Sequence, residues 1–226
     1  MPQRMTREHA AAKLPTPTTR RLLFAGVVAG PLYITVAAAQ ALTRTGFDLS
    51  RHPVSLLSNG DLGWIQIANF VVAGLLTVAA SVGMHRAIGS RRGGTWGPRL
   101  LGVYGLSVLA AGLLVADPGA GFPPGTPEVG EVSWHGLGHF LAGGIGFPAM
   151  AAACIVLARP LSGSGRSWTP FSVATGLVLL ATYAMIASGG GATWTILAFT
   201  GGVVLVWLWL TAAATRAGRN LPEGTR

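Results

Sequence analysis

The amino-acid sequence predicts an all-α protein: a bundle of six transmembrane helices with both termini in the cytoplasm. Half of its 226 residues are hydrophobic and only 10% are charged, whereas about a quarter of the residues in a soluble domain are charged. The charged residues lie in short clusters between long uncharged runs. Since roughly 20 apolar residues are needed to cross the hydrocarbon core of a bilayer, these runs indicate membrane-spanning helices.

The positions of the basic residues predict the orientation of the helices. If the N-terminus lies inside, the cytoplasmic segments hold 14 of the 16 basic residues and the outer loops hold five of the seven acidic residues. Lys and Arg are enriched in cytoplasmic loops. The net charge of +9 is therefore interpreted as membrane topology and not as a nucleic-acid interface. We expect a plasma-membrane protein whose partner is the lipid bilayer, and the Arg-rich, Ala- and Gly-rich composition is typical of a GC-rich bacterial source.

The predicted organisation is one transmembrane domain, residues 21–215, between two basic cytoplasmic tails. Residues 1–20 are interpreted as a disordered tail and residues 216–226 as a second tail. The six predicted spans cover 22–42, 64–84, 100–116, 134–157, 169–187 and 193–214. A signal peptide is the alternative interpretation of the first span, but the length of its apolar run and the spans that follow favour an uncleaved anchor.

Two histidines at the start of the fourth span are the sharpest candidate site. His135 and His139 are four residues apart, which places them roughly 5–6 Å apart on one helical face. Two imidazoles at this spacing can bind a divalent metal such as zinc, with His52 or Asp117 as a further ligand. The alternatives are a proton-active or ligand-binding pair, or a structural pair that hydrogen-bonds loop carbonyls.

The first outer loop carries a second group of candidates. Arg51 is predicted either to bind a phosphate or other anion, or to pair with Asp48 or Asp61 of the same loop. With Arg51, His52 is a candidate ligand-binding residue, and Ser55 beside His52 is a candidate nucleophile. A short helix is expected to begin at Pro53 and to end before the turn formed by residues 59–60.

Asn69, Gln66 and Asp117 complete the polar set predicted at the outer side. Gln66 and Asn69 lie in the first turns of the second span and are expected to face the bundle, with Asn69 as a candidate ligand-binding residue. Asp117 follows the third span and is a candidate catalytic residue. At the C-terminal end of a helix the macrodipole disfavours an anion, so Asp117 needs a nearby cation, a metal or water.

Two sequence signatures resemble those of a known membrane family. The first runs from Arg51 to Phe70 as R-H-P-x-S-x-L and then G-x-x-G-W-x-Q-x-x-N-F. The second is Asp117-Pro118 followed, after a Gly- and Pro-rich loop, by H-G-x-x-H from His135 to His139. Together they resemble the bacterial and archaeal family DUF998 over about residues 22–214. The resemblance implies a six-helix integral membrane protein and does not supply a reaction.

Two functional hypotheses follow from the outer polar residues. The first is a non-catalytic membrane protein with a sensor, lipid-binding or accessory role that binds a lipid or small molecule. The alternative is a metal-dependent hydrolase that acts on a lipid-linked substrate at the outer leaflet, with metal-activated water as the nucleophile. The sequence contains no complete catalytic signature, and this leaves enzymatic activity open.

Overall fold

The computed structural model describes residues 17–163 and 166–221, and these residues are helical for most of their length. The α-helices in this part of the chain are α1 (Pro17–Thr43), α2 (Gly63–Ile88), α3 (Trp96–Leu113), α4 (Trp134–Ala158), α5 (Trp168–Ala187) and α6 (Thr193–Arg219). A short 3-10 helix, Val54–Ser58, lies between α1 and α2. It begins directly after Pro53, where the sequence predicted a short helix.

The all-α class is confirmed for the described residues. Five helices, all except α3, are long and apolar enough to cross a membrane. Helix α3 has 18 residues, and its first turn contains Pro98 and Arg99. At a rise of 1.5 Å per residue it is about 27 Å long, slightly shorter than a hydrocarbon core of about 30 Å.

The helix bounds differ from the predicted boundaries at three places. Helix α1 already begins at Pro17, so residues 17–20 are helical, and the rest of the predicted first tail lies outside the described residues. Helix α6 continues to Arg219 and includes the start of the predicted second tail. Arginines are good helix formers, so a basic cluster does not end a helix. Helix α3 begins at Trp96 and ends at Leu113, whereas the third span was predicted over 100–116.

The six helices pack as a closed ring in chain order. Each helix contacts the next one along the chain, and α6 returns to contact α1 and, less extensively, α2. Trp207 and Trp209 of α6 are among the largest fully buried side chains. The ring of Trp207 stacks on Tyr33 of α1 with the ring centroids 4.6 Å apart. These aromatic contacts close the ring between the first and last helices.

Acidic residues lie at one end of the bundle, together with Arg44 and Arg51, and the other described arginines lie at the opposite end. The loops before α2 and before α4 contain every acidic residue of the described part of the chain: Asp48, Asp61, Asp117, Glu128 and Glu131. We call this the acidic end. The opposite, basic end carries Arg20, Arg21, Arg86, Arg91, Arg92, Arg99, Arg159, Arg166, Arg216 and Arg219. This is the separation from which the membrane orientation was predicted.

Helices α2 and α3 approach each other closely at two glycines. A Cβ atom added to Gly105 would lie 2.9 Å from the backbone N of Val78 and 3.0 Å from the carbonyl O of Gly74. Backbone atoms cannot move aside as a flexible side chain can. Small residues at such crossings are how membrane helices gain packing contacts.

We expect Gly105→Val to lower the thermal unfolding midpoint of the detergent-solubilised protein, because the added side chain forces α2 and α3 apart at a cost of roughly 1–3 kcal/mol. The matched control is Gly201→Val, since a Cβ added at Gly201 meets nothing within 4 Å. Equal midpoints for the two variants would contradict the close approach of α2 and α3.

Candidate functional site

The junction between α3 and α4 is organised by Asp117. Its carboxylate accepts hydrogen bonds from the hydroxyl of Ser133 and, at 2.9 Å, from the backbone N–H of Ser133. Ser133 is the N-cap of α4, and its hydroxyl oxygen accepts from the N–H of Gly136 at 3.0 Å. A Cβ on Gly136 would overlap the carboxylate of Asp117. Glycine at position 136 therefore allows the carboxylate to lie directly against the first turn of α4.

This position reverses the electrostatic expectation for Asp117. Helix α3 ends four residues earlier, at Leu113, and Asp117 lies at the N-terminus of α4, where the macrodipole stabilises an anion. The pKa of Asp117 is lowered, and the main cause is the hydrogen bond from the side chain of Ser133. The backbone N–H of Ser133 and the nearby His135 and His139 also lower this pKa, whereas partial burial raises it. Asp117 is therefore a carboxylate at neutral pH.

The two α4 histidines satisfy carbonyl groups at the C-terminal end of α3. Nδ1 of His135 lies 2.9 Å from the carbonyl O of Val115. Nδ1 of His139 lies 2.9 Å from the carbonyl oxygens of both Ala111 and Leu114. Since a carbonyl can only accept, each Nδ1 carries a proton. Of the alternatives considered for the pair, hydrogen bonding to loop carbonyls has direct support in this geometry.

His52 is fixed in the loop before α2. The ring is 2% exposed. Its Nδ1 accepts from the backbone N–H of Asp48 at 2.8 Å, and its Nε2 donates to the carbonyl O of Ala120 at 2.9 Å. Both ring nitrogens are therefore occupied by the backbone. His52 is not free to act as a metal ligand, or as a base for Ser55.

The predicted metal ligands are not gathered into one site. Within residues 17–163 and 166–221, no group of three or more His, Cys, Asp and Glu side chains could hold a metal ion. Asp117 lies near His135, with Oδ1 and Nδ1 3.6 Å apart. A zinc site at His135 and His139 therefore lacks a third ligand among the described residues and stays a prediction.

The two arginines of the acidic end are both engaged by the protein. Arg51 forms an ion pair with Glu128 at 2.9 Å. The sequence had suggested Asp48 or Asp61 as its partner. Arg44 donates to the carbonyl oxygens of Leu57 and Asn59. These contacts link separate parts of the acidic end.

Asn69 belongs to a buried amide cluster between α1 and α2. Nε2 of Gln40 donates to Oε1 of Gln66 at 2.9 Å. Nδ2 of Asn69 donates to the carbonyl O of Tyr33 at 3.2 Å and lies 3.3 Å from the same Gln66 oxygen. Gln66 and Asn69 do face the bundle, as predicted. The structure places Asn69 in a helix–helix contact and apart from the other candidate residues.

A cavity of about 500 Å³ lies beside the α3–α4 junction. Its wall is mostly apolar, with aromatic side chains of α2, α4 and α6, among them Phe70, Phe147 and Phe199. Asp117, His139 and Ser55 also line it. Leu137 and Phe140 of the wall are 51% and 50% exposed. The cavity therefore opens along the outer surface of α4, near the acidic end.

The structure brings together only part of the predicted site. Asp117, His139 and Ser55 share the cavity wall, whereas Arg51, His52, His135 and Asn69 do not line it. Sequence reasoning missed the aromatic wall and also Thr200 and Trp207 of α6. Nothing in an apolar run distinguishes a cavity-lining aromatic residue from one packed in the core, so the sequence held no signal for them.

We expect Asp117→Asn to lower the thermal unfolding midpoint at neutral pH, because the amide loses the negative charge that the N-terminus of α4 and Ser133 stabilise. A carboxyl group with a lowered folded-state pKa contributes stability above its ordinary pKa of about 3.9, and this contribution is lost as the pH falls through the folded-state value. The difference in midpoint between parent and variant should therefore be full at neutral pH and shrink below about pH 4.

The control for this titration is Glu131→Gln, because Glu131 is an exposed acid of the same loop. Its unfolding midpoint should follow that of the parent at every pH. A pH-independent difference for Asp117→Asn would show that the lost contact is steric and would contradict the electrostatic role of Asp117.

Comparison with known proteins gives one match. Residues 27–216 match the family model described as "Protein of unknown function (DUF998)". No curated protein and no solved structure matches the chain significantly. The matched range includes both sequence signatures and the whole cavity wall.

Proposed function

The chain belongs to the DUF998 family of membrane proteins of unknown function, and we propose that it is a non-catalytic lipid-binding protein that holds an amphiphile in the cavity beside the α3–α4 junction. The observation that carries this proposal is the cavity itself. Ligand pockets of proteins typically have about 300–1,000 Å³ and mostly apolar walls with a few polar groups, and this cavity has about 500 Å³ and such a wall.

The opening of the cavity supports a lipid in preference to a water-soluble ligand. Leu137 and Phe140, the half-exposed residues at the opening, lie on the exposed side of α4, which the proposed arrangement turns toward the bilayer. An acyl chain can enter there directly from the bilayer. The polar residues at the end of the cavity, Asp117 and His139, lie where the headgroup of such a lipid would sit.

The membrane arrangement is part of the same proposal. All six helices, including the shorter α3, cross the plasma membrane, and the acidic end faces outward with both termini in the cytoplasm. The separation of arginines from acids supports this orientation, because Lys and Arg are enriched on the cytoplasmic side. Helix α3 packs between α2 and α4 along the ring, as a spanning helix of the bundle would.

Single cysteines test this orientation in a Cys154→Ala background, since Cys154 is the only cysteine of the chain. We expect Glu131→Cys to react with a membrane-impermeant maleimide on intact cells, and Arg92→Cys to react only after permeabilisation. Both positions are exposed in the structure. The opposite labelling pattern would reverse the proposed orientation.

The hydrolase alternative has less support. A metal-activated water needs several protein ligands around one ion, and His52, the proposed third histidine, has both ring nitrogens bound to the backbone. The same contacts remove His52 as a base for Ser55. Asp117 and Ser55 do share the cavity wall, but no general base adjoins Ser55 among the described hydrogen bonds. The accessory, lipid-binding role is therefore the better-supported hypothesis.

Filling the cavity should abolish lipid retention. Gly143 lines the cavity, and a Cβ added there first meets Phe147 at 3.4 Å, an ordinary contact. We expect Gly143→Leu to place its side chain in the cavity. After detergent exchange, native mass spectrometry should show one retained amphiphile on the parent protein and none on this variant.

The matched control is Gly201→Leu on α6, a position outside the cavity wall with nothing within 4 Å of an added Cβ. This variant should retain the amphiphile as the parent does. If the parent retains no amphiphile, or if Gly143→Leu retains it equally well, the lipid-binding proposal is wrong.

A further inference from the structure

A cleft of about 380 Å³ lies at the basic end of the bundle, between α1 and α6. We call it the basic cleft, and its wall consists of Arg20, Leu23, Phe24, Val27, Ala214, Thr215, Gly218, Arg219 and Leu221. Phe24 is 64% exposed, and Arg20 and Arg219 are exposed as well. The basic cleft is therefore open along the outside of the bundle, and none of its wall residues belongs to the cavity beside the α3–α4 junction.

The packing of α1 against α6 explains where this cleft opens. A Cβ atom added to Gly26 would lie 2.9 Å from Cβ of Ala214, and one added to Gly30 would lie 2.4 Å from the carbonyl O of Trp207. The two helices are thus in close contact toward the middle of the bundle. Gly218 lies one helical turn beyond Ala214, and a Cβ added there meets no atom of the described residues within 4 Å. The contact between α1 and α6 therefore ends at Ala214, and space is left beside Gly218.

The α1 wall of the cleft is charged at one end and apolar along the rest. Arg20, Leu23, Phe24 and Val27 follow the spacing of one helical face. From Arg20 to Val27 this face runs for about 10 Å along the axis. Both α1 and α6 are long and apolar enough to cross a membrane, so Arg20 lies toward the membrane surface and Val27 toward the hydrocarbon. A molecule that fits this wall has a polar group at one end and an apolar chain behind it.

The polar end of the cleft is positively charged and lacks a balancing acid. Neither Arg20 nor Arg219 forms an ion pair or a hydrogen bond with another residue of the described part of the chain. Arg216, in contrast, lies over the ring of Trp168 at 4.5 Å. Every described acid lies at the opposite end of the bundle. Because α1 begins and α6 ends beside the cleft, their macrodipoles act on an anion there in opposite directions, so the two guanidinium groups decide the sign of the ligand. Guanidinium groups bind phosphate through paired, charge-assisted hydrogen bonds.

We infer that the basic cleft is a second lipid site, which binds an anionic phospholipid with its phosphate at Arg20 and Arg219 and an acyl chain along Phe24 and Val27. Basic pockets between transmembrane helices bind anionic headgroups in this way. The inference is independent of the proposed function, since the cleft and the cavity lie at opposite ends of the bundle. A lipid in the cleft contacts both α1 and α6, the helices whose contact closes the ring. Its binding therefore stabilises the folded protein by mass action.

The test adds three probes to the delipidated, full-length protein in detergent, because lipid in an open cleft exchanges with detergent. Dioleoyl phosphatidylglycerol carries the anionic phosphate and two acyl chains. Dioleoyl phosphatidylcholine has the same chains and no net charge, and inorganic phosphate supplies the anion without a chain. Phosphatidylglycerol should bind at least fivefold more tightly than phosphatidylcholine and should raise the thermal unfolding midpoint. Inorganic phosphate at the same concentration should leave the midpoint unchanged, and a rise as large as that with phosphatidylglycerol would overturn the assignment to a lipid.

Three variants test the wall of the cleft. Arg20→Gln and Arg219→Gln should each weaken phosphatidylglycerol binding roughly fivefold, the effect of one basic residue near an anionic lipid. Gly218→Leu keeps both arginines and fills the cleft, so it should weaken binding at least tenfold. The matched control is Arg21→Gln, which removes the same charge from the neighbouring exposed position of α1, outside the cleft wall. Its affinity should stay within twofold of the parent. Thermal unfolding without lipid establishes that each variant is folded.

The outcomes separate the cleft from the cavity and from diffuse surface charge. Equal binding of phosphatidylglycerol and phosphatidylcholine, or equal losses in Arg20→Gln, Arg219→Gln and Arg21→Gln, would overturn the inference. Gly143→Leu, which fills the cavity, should bind added phosphatidylglycerol as the parent does. If binding were instead lost in Gly143→Leu and kept in Gly218→Leu, the lipid would lie in the cavity, and the basic cleft would fail as a site while the proposed function stood.

Discussion

The early end of α3 is the constraint on which the acidic end of the bundle depends. The last carbonyl groups of a helix have no partner within it, and in a membrane protein each buried one must find a donor elsewhere. Side chains from outside α3 supply donors to the carbonyls of Ala111, Leu114, Val115 and Ala116. Three of these bonds come from His135 and His139 of α4, and the fourth comes from Asn59 before α2. The end of α3 is thus completed by two other parts of the chain.

The same bonds position the groups that face the cavity. Because His139 donates through Nδ1 to the end of α3, its ring is held where it lines the cavity. Because Ser133 and the N-terminus of α4 stabilise the carboxylate of Asp117, that residue presents a fixed anion at the same wall. The spacing of His135 and His139 is then explained by two carbonyls that lie about one helical turn apart. A pair of histidines at metal-binding spacing can arise from this requirement alone.

The sequence predicted much of the fold and only part of the site. Apolar runs and arginine clusters located the helices, because a span through the bilayer needs about 20 apolar residues and basic residues collect beside its cytoplasmic end. They did not locate the end of α3, since residues 114–116 are apolar whether helical or extended. The partners of Arg51 and His52 lie on other segments, 77 and 68 residues away, and composition does not encode such contacts. Asp117 was identified as important, but its favourable position against the N-terminus of α4 depends on the path of the loop, which only the structure defines.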